Sequence, residues 1–391
     1  MMKQWIAGAL CTVAAFGAAC EKLDHAPEKY LQDPPPTRQI SLEEVAQLLS
    51  SLPIGTEQLS EVHGAVSSSE GNGYDSEYRM MEVFLSPGAG VGEDPAGTKA
   101  EWTTPLRDLI REAVLSRTKA EGDKTEAEAF LEALSRSDAQ IYWPYATSWD
   151  GSEAPLVTFD PGDNSVKNIA YYRDADGELA ELVVDEQMAR ERPVWVVNWN
   201  DDASYKSLEL LRREDPSWGS GGEILLKSGE SGPEGIRTLI LRSFRANRQF
   251  DSWLAGASEF WVKIGSVEDF KASTEAELLL YQPSITDFMV VVRRDQVGMD
   301  IPFNAVLVSE WTESLSSCAF MMIEDDGGTQ TSWQCSATVK YNSKSYGFDI
   351  AIPLRSRDDI VWRGALSRSY IERFNGETGH FGDVDLVLEL I

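Results

Sequence analysis

The chain has 391 residues, longer than a single hydrophobic core usually grows, so two or more domains are expected. With 42% apolar and 10% aromatic residues it can bury a real core, which excludes a disordered acidic chain despite a formal charge of -29. That charge, from 64 Asp and Glu against 35 Lys and Arg, excludes nucleic acid as a natural partner; it reads as a solvated acidic surface, with calcium binding as the sharper alternative.

Residues 1–19 read as a signal peptide: Lys3 gives a basic start, and Trp5 to Ala19 is nearly all apolar and ends in small residues. A spanning helix takes about 20 apolar residues, and no other long apolar run occurs. Residues 20–40 are a polar spacer ending in Asp33-Pro34-Pro35-Pro36, which favours extended geometry.

A helix-rich region is expected over 41–136. Ser41 and Glu44 form a capping box ahead of Val45, Leu48, Leu49 and Leu52 at helical spacing. A second, short helix carries Leu59 and Val62, followed by a turn-rich stretch through Ser67-Ser68-Ser69. A third opens at Thr104-Pro105 with Leu106, Leu109, Ile110, Ala113 and Val114 on one face, and a fourth begins at Thr125 with Phe130, Leu131 and Leu134 inward.

From 137 to 250 the texture turns to β. Ile169–Arg173 and Leu179–Val184 flank an Asp176-Gly177 hairpin signal, and a strand over 192–200 carries Trp195, Val197 and Trp199 on one side. Residues 235–246 read as a further strand of this central region, packed on the helices. Over 251–391, short strand-like runs near 280, 290, 305, 320, 335, 348 and 386 suggest a C-terminal antiparallel β-sandwich. The expected class is α+β.

Cys11 lies in the signal, leaving Cys20, Cys318 and Cys335. Between the last two stands Asp326-Gly327; a two-residue turn there puts Cys318 opposite Cys335 at a pair with Cα atoms about 4.5 Å apart, within disulfide reach. The same register opposes Phe320 to Trp333 and Met322 to Thr331. Two reduced thiols, or a turn at Gly327-Gly328 that breaks the register, are the other readings. With the disulfide formed, Cys20 is the odd cysteine of an exported chain and needs a reason.

Phe16-Gly17-Ala18-Ala19-Cys20 resembles the lipobox of bacterial lipoproteins, and the first forty residues resemble envelope lipoproteins of Bacteroidota type. The resemblance implies diacylation of Cys20, a membrane partner through that acyl anchor, and an outer-membrane or cell-surface location; Glu21 fits the acidic export stretch of that group, while Lys22 and Leu23 interrupt it. Ordinary cleavage after Ala19 would instead leave Cys20 a free thiol.

No sequence signature of a reaction stands out. The three histidines, His25, His63 and His380, lie in no metalloprotease motif, and no CxxC, P-loop or GxGxxG occurs, so no metal or cofactor is called for. Ser220 in "SWGSGGE" lacks a partner base, and the carboxylates of "DPGDN" and "RDADGE" read as turns rather than full calcium loops. The candidate ligand platform is Tyr142, Trp143, Tyr145, Trp149 and Asp150 with Trp195 and Trp199, rings that stack on sugars beside an acid, set against the plainer reading that they pack helices on strands. The expectation is a non-catalytic binding or structural ectodomain with a glycan or envelope protein as partner. The alternative is a glycan-processing hydrolase with a carboxylate pair in an aromatic cleft.

Overall fold

The computed structural model describes residues 38–80, 102–121, 124–151, 153–200, 205–214 and 236–391. The expected signal peptide (1–19), Cys20, residues 21–37 of the expected spacer with His25, and Ser220 lie outside them. No described helix is long and apolar enough to cross a membrane. The fold class is α+β, with helices mostly in the N-terminal part and antiparallel sheets in the C-terminal part.

Ser41 caps helix α1 (Leu42–Ser50), its Oγ accepting the Glu44 amide at 3.1 Å. Helix α2 (Thr56–Gly71) is longer than its sequence suggests and runs through Ser67-Ser68-Ser69. Buried Val62, Ala65 and Val66 hold its inner face, and that packing overrides the weak helix preference of serine. Helix α3 (Leu106–Glu121) starts directly after Pro105, and α4 (Lys124–Ser135) buries Phe130 and Leu134 beside Leu106 and Ile110.

These helices pack on a six-stranded sheet in the order β1-β2-β6-β3-β4-β5. Its strands are β1 (Glu77–Arg79), β2 (Ala139–Tyr142), β3 (Leu156–Phe159), β4 (Lys167–Arg173), β5 (Leu179–Asp185) and β6 (Val194–Trp199). Neighbours are antiparallel except β3 and β6, which are parallel. The two-residue period of a strand divides the side chains cleanly. Ile141, Val157, Tyr171, Trp195 and Val197 join the helical core, while Tyr142, Leu156, Ala170, Val194 and Val196 form a second core on the back of the sheet. Helix α5 (Glu186–Glu191) follows β5, capped by the Asp185 carboxylate.

The C-terminal part is two sheets around one core. One sheet runs β10-β7-β16-β15, from β7 (Ile236–Ala246), β10 (Ile301–Thr312), β15 (Thr378–Phe381) and β16 (Val384–Leu390). The strand beginning at Ile236, expected in the central region, therefore belongs to the sandwich, paired on both edges. The facing sheet holds β8 (Ser258–Ser266), β9 (Ser284–Val292), β11 (Leu315–Glu324) and β14 (Asp359–Ser367), with the ribbon of β12 (Gln330–Tyr341) and β13 (Lys344–Arg355) joined at the start of β11.

That arrangement corrects the expected cysteine pairing. Beyond Ser317 both edges of β11 are taken, one by β8 and the other by β14, a strand the sequence reading passed over. Strand β12 pairs with β11 only at Leu315↔Val339 and Ser317↔Thr338. Between Glu324 and Gln330 the chain makes an open connection, with Gly327 and Gly328 in the left-handed region at φ 72° and 101°, so the two-residue hairpin and its register do not form. Cys318 faces Leu366, Cys335 faces Ile350, and both are free thiols. Phe320 and Met322 likewise face Gly364 and Trp362 rather than Trp333 and Thr331. Burial pushes both thiols up, Cys318 furthest.

Candidate functional site

The seven platform residues separate into core and rim. Tyr142, Trp143 and Trp195 are buried, Trp143 and Trp195 in the helical core and Tyr142 behind the sheet. Tyr142 and Trp195 present no ring face to a ligand. Trp143 lies 5.3 Å from Trp149 and 5.9 Å from Trp195 between ring centroids, and the His63 ring sits 5.2 Å from Trp149. His63 also meets the Ala146 carbonyl through Nε2 at 3.2 Å, which ties α2 to the turn that carries Trp149. Trp199, at the exposed end of β6, is separate from this cluster.

Tyr145, Trp149 and Asp150 do come together. With Ser148, Glu153 and Arg192 they line a cleft of ≈ 170 Å³ whose floor is Trp143 and whose far wall is the end of α5 and Pro193. Arg192 reaches across to Glu153 at 2.6 Å. The cleft is small beside the roughly 300–1,000 Å³ typical of small-molecule sites, so it suits one ring or one short group of a longer ligand.

Tyr145 is fixed unusually well for a loop residue. Its backbone is in the left-handed region at φ 59°, a conformation a bulky residue keeps only when its surroundings hold it. Its hydroxyl donates to Glu186 Oε1 at 2.6 Å, and the Arg190 guanidinium lies 4.6 Å from the ring centroid. Burial first, then the Glu186 hydrogen bond and charge, pushes the Tyr145 hydroxyl well up. Burial alone would raise Glu186, but the Tyr145 hydroxyl and the Arg294 and Arg190 guanidiniums outweigh it and hold that carboxyl below its usual range.

Arg294 carries this network into the sandwich. Its side chain is 7% exposed, lies 3.5 Å from Glu186 through Nη1, and donates from Nη2 to the Asp251 carbonyl at 2.7 Å. Beside it is a group that motif reasoning missed: carboxylate oxygens of Asp251, Glu259 and Glu324 lie within 4.8 Å of one another. Glu324 ends β11 and is 1% exposed, Glu259 lies near the start of β8, and Asp251 sits in the loop between β7 and β8. Desolvation, then the facing Asp251 carboxylate, holds Glu324 far above the ordinary carboxylate range, and burial also raises Asp251. The only trace in the sequence is a glutamate closing the apolar run "CAFMMIE", and nothing local says which residues meet it.

The acidic loops read as turns have turn geometry. Asp174 Oδ1 accepts the amides of Asp176 and Glu178, closing a three-residue hairpin loop with Gly177 at φ 84°. Asp160 and Asp163 accept the amides of Gly162 and Ser165 in the same way.

No family model, no curated protein and no solved structure matches this chain.

Proposed function

We propose that this chain is an envelope lipoprotein anchored through acylated Cys20, and that its folded part is a non-catalytic binding module with a glycan bound at the Trp149 cleft. The observation that carries the binding reading is the cleft itself. A half-buried indole stands beside Asp150 and the Glu153–Arg192 ion pair, so a sugar ring stacked on Trp149 would meet both acceptors and donors for its hydroxyls. The anchor rests on the lipobox-like run ending at Cys20; with Cys318 and Cys335 free, it no longer draws support from a pairing that leaves Cys20 over. The outer membrane or cell surface is the corresponding location.

The protein extracted from its native membrane and applied to a glycan array should bind one class of sugar, and Trp149→Ala should weaken that binding at least tenfold while leaving the fold intact by circular dichroism. No glycan bound, or binding indifferent to Trp149, overturns the site. Turnover of the bound glycan that stops in Asp150→Asn would replace the binding module by the hydrolase reading. Mass spectrometry of the mature N-terminus tests the anchor separately, an unacylated Cys20 leaving an exported chain without it.

A further inference from the structure

We propose that Asp251, Glu259 and Glu324 bind a hard divalent cation, calcium, which pins the 249–257 loop at the junction of the sandwich and the six-stranded sheet. The inference is independent of the Trp149 cleft.

Glu324 carries the argument. It is 1% exposed, both its oxygens are buried, and neither has a hydrogen-bond donor among the described residues; the same holds for Asp251 Oδ2. A proton shared between Glu324 and Asp251 would occupy one oxygen of each and leave the other Glu324 oxygen bare. A cation at the centre meets all three at once. Arg294 does not do so, because its Nη groups point to the Asp251 carbonyl and to Glu186 instead. Asp359 stands opposite Glu324 across the β11–β14 pair and adds further negative charge to the strand end.

The donor set is all carboxylate oxygen, which selects hard cations over zinc or copper. No pair of the ligand atoms is farther apart than 4.8 Å. That is the span of a calcium shell, with oxygens at about 2.3–2.6 Å from the ion, whereas magnesium demands a shorter, near-octahedral shell and usually keeps several waters.

The three ligands come from different pieces of chain. Glu259 and Glu324 are fixed in neighbouring strands, whereas Asp251 belongs to the loop that inserts Trp253 and Leu254 into the core behind the six-stranded sheet. In that loop the Ala255 region accepts from Asn198, and Ala257 donates its amide to Asp75 Oδ2 at 2.8 Å. A cation held by all three ties this docking loop to the sandwich.

The test is isothermal titration of the chelator-treated full chain with CaCl2, and separately with MgCl2 and MnCl2, alongside thermal melts. One calcium per chain and a melting point several degrees higher are expected. Glu324→Gln should weaken binding at least a hundredfold and abolish the shift, while Asp174→Asn, in an exposed hairpin loop, should change neither. Gln is the same size as Glu and can donate to Asp251, so the fold should survive; Asp251→Asn is the second variant, read by the same titration. No binding of any of the three ions at millimolar concentration, or calcium binding that survives both Glu324→Gln and Asp251→Asn, overturns the site.

Discussion

Among single residues, Glu186 shows how a partly buried acid ties stability to pH. Its folded-state pKa is depressed, so its contribution is complete above the unfolded value of about 4.3 and is lost as pH falls through the lower folded value. The carboxyl is 34% exposed, so solvent screens its pairs with Arg190 and Arg294, and the contribution is about 1 kcal/mol. Glu186→Gln should therefore lower stability by about that much at pH 7, with the difference from wild type closing as pH drops below about 4. Urea midpoints at pH 7, 5 and 3.5 check it, and a difference that stays constant over that range rules out an ionic contribution. Tyr145 loses its charged acceptor in the same variant. Residue identity alone did bring Tyr145, Trp149 and Asp150 to one site, because they are close in sequence around a tight turn. It could not separate them from Trp143 and Trp195, whose burial depends on which face of a strand meets the helices.

Between elements, the point at issue is how β12 and β13 cross the sandwich. The ribbon leaves β11 after Ser317, and Ile350 lies over β8 where Gly265 has no side chain. A Cβ at Gly265 would come within 2.7 Å of Ile350 Cδ1 and 3.0 Å of its Cγ2. Gly265→Ala should thus cost about 1–2 kcal/mol through overpacking. Ile350→Val removes Cδ1, so the double variant should be more stable than the sum of the two single losses by about 1 kcal/mol. Strict additivity in urea unfolding would mean that Ile350 does not press on that site. The elements legible in sequence were those whose signals are local: the Ser41 cap, the Pro105 helix start, and the runs of β4 and β5 on either side of the glycine at the Asp174–Glu178 hairpin. Pairing partners were not legible. "DIVWRGALS" alternates weakly, yet it claims the β11 edge that a short hairpin would have given to β12, and the position of both cysteines follows from that competition. The carboxylate cluster escaped for the same reason, its members being joined only by long-range strand register and a docking loop.

At the scale of the whole molecule, the described chain from residue 38 onward falls within one compact unit, yet it holds separate cores on the two faces of the six-stranded sheet and inside the sandwich. They are joined by residues 205–214, where Arg213 donates to the Gly71 carbonyl at 2.9 Å and Arg212 to the Phe303 carbonyl at 2.7 Å, and by the loop between β7 and β8. Trp253 is 2% exposed in the core behind the six-stranded sheet, and its Nε1 donates to the Val166 carbonyl at 2.9 Å. Leu254 is buried beside it, and its carbonyl accepts from Asn198 Nδ2 at 3.3 Å. Removing the indole leaves a large cavity at the joint and should cost about 3–5 kcal/mol. The loss falls on the coupling between halves more than on either core, because the helical core and the sandwich core keep their own contacts. Wild-type chain should therefore unfold in urea with far-UV circular dichroism and tryptophan fluorescence coinciding, and Trp253→Ala should pull the two curves apart. The long helices of the N-terminal layer weight far-UV circular dichroism towards that half, while fluorescence also reports the sandwich through Trp261, Trp311, Trp333 and Trp362, so the two probes weigh the halves differently. Two transitions already present in the wild type would mean that the loop does not couple the halves, and coincident curves in the variant would mean that contacts elsewhere do.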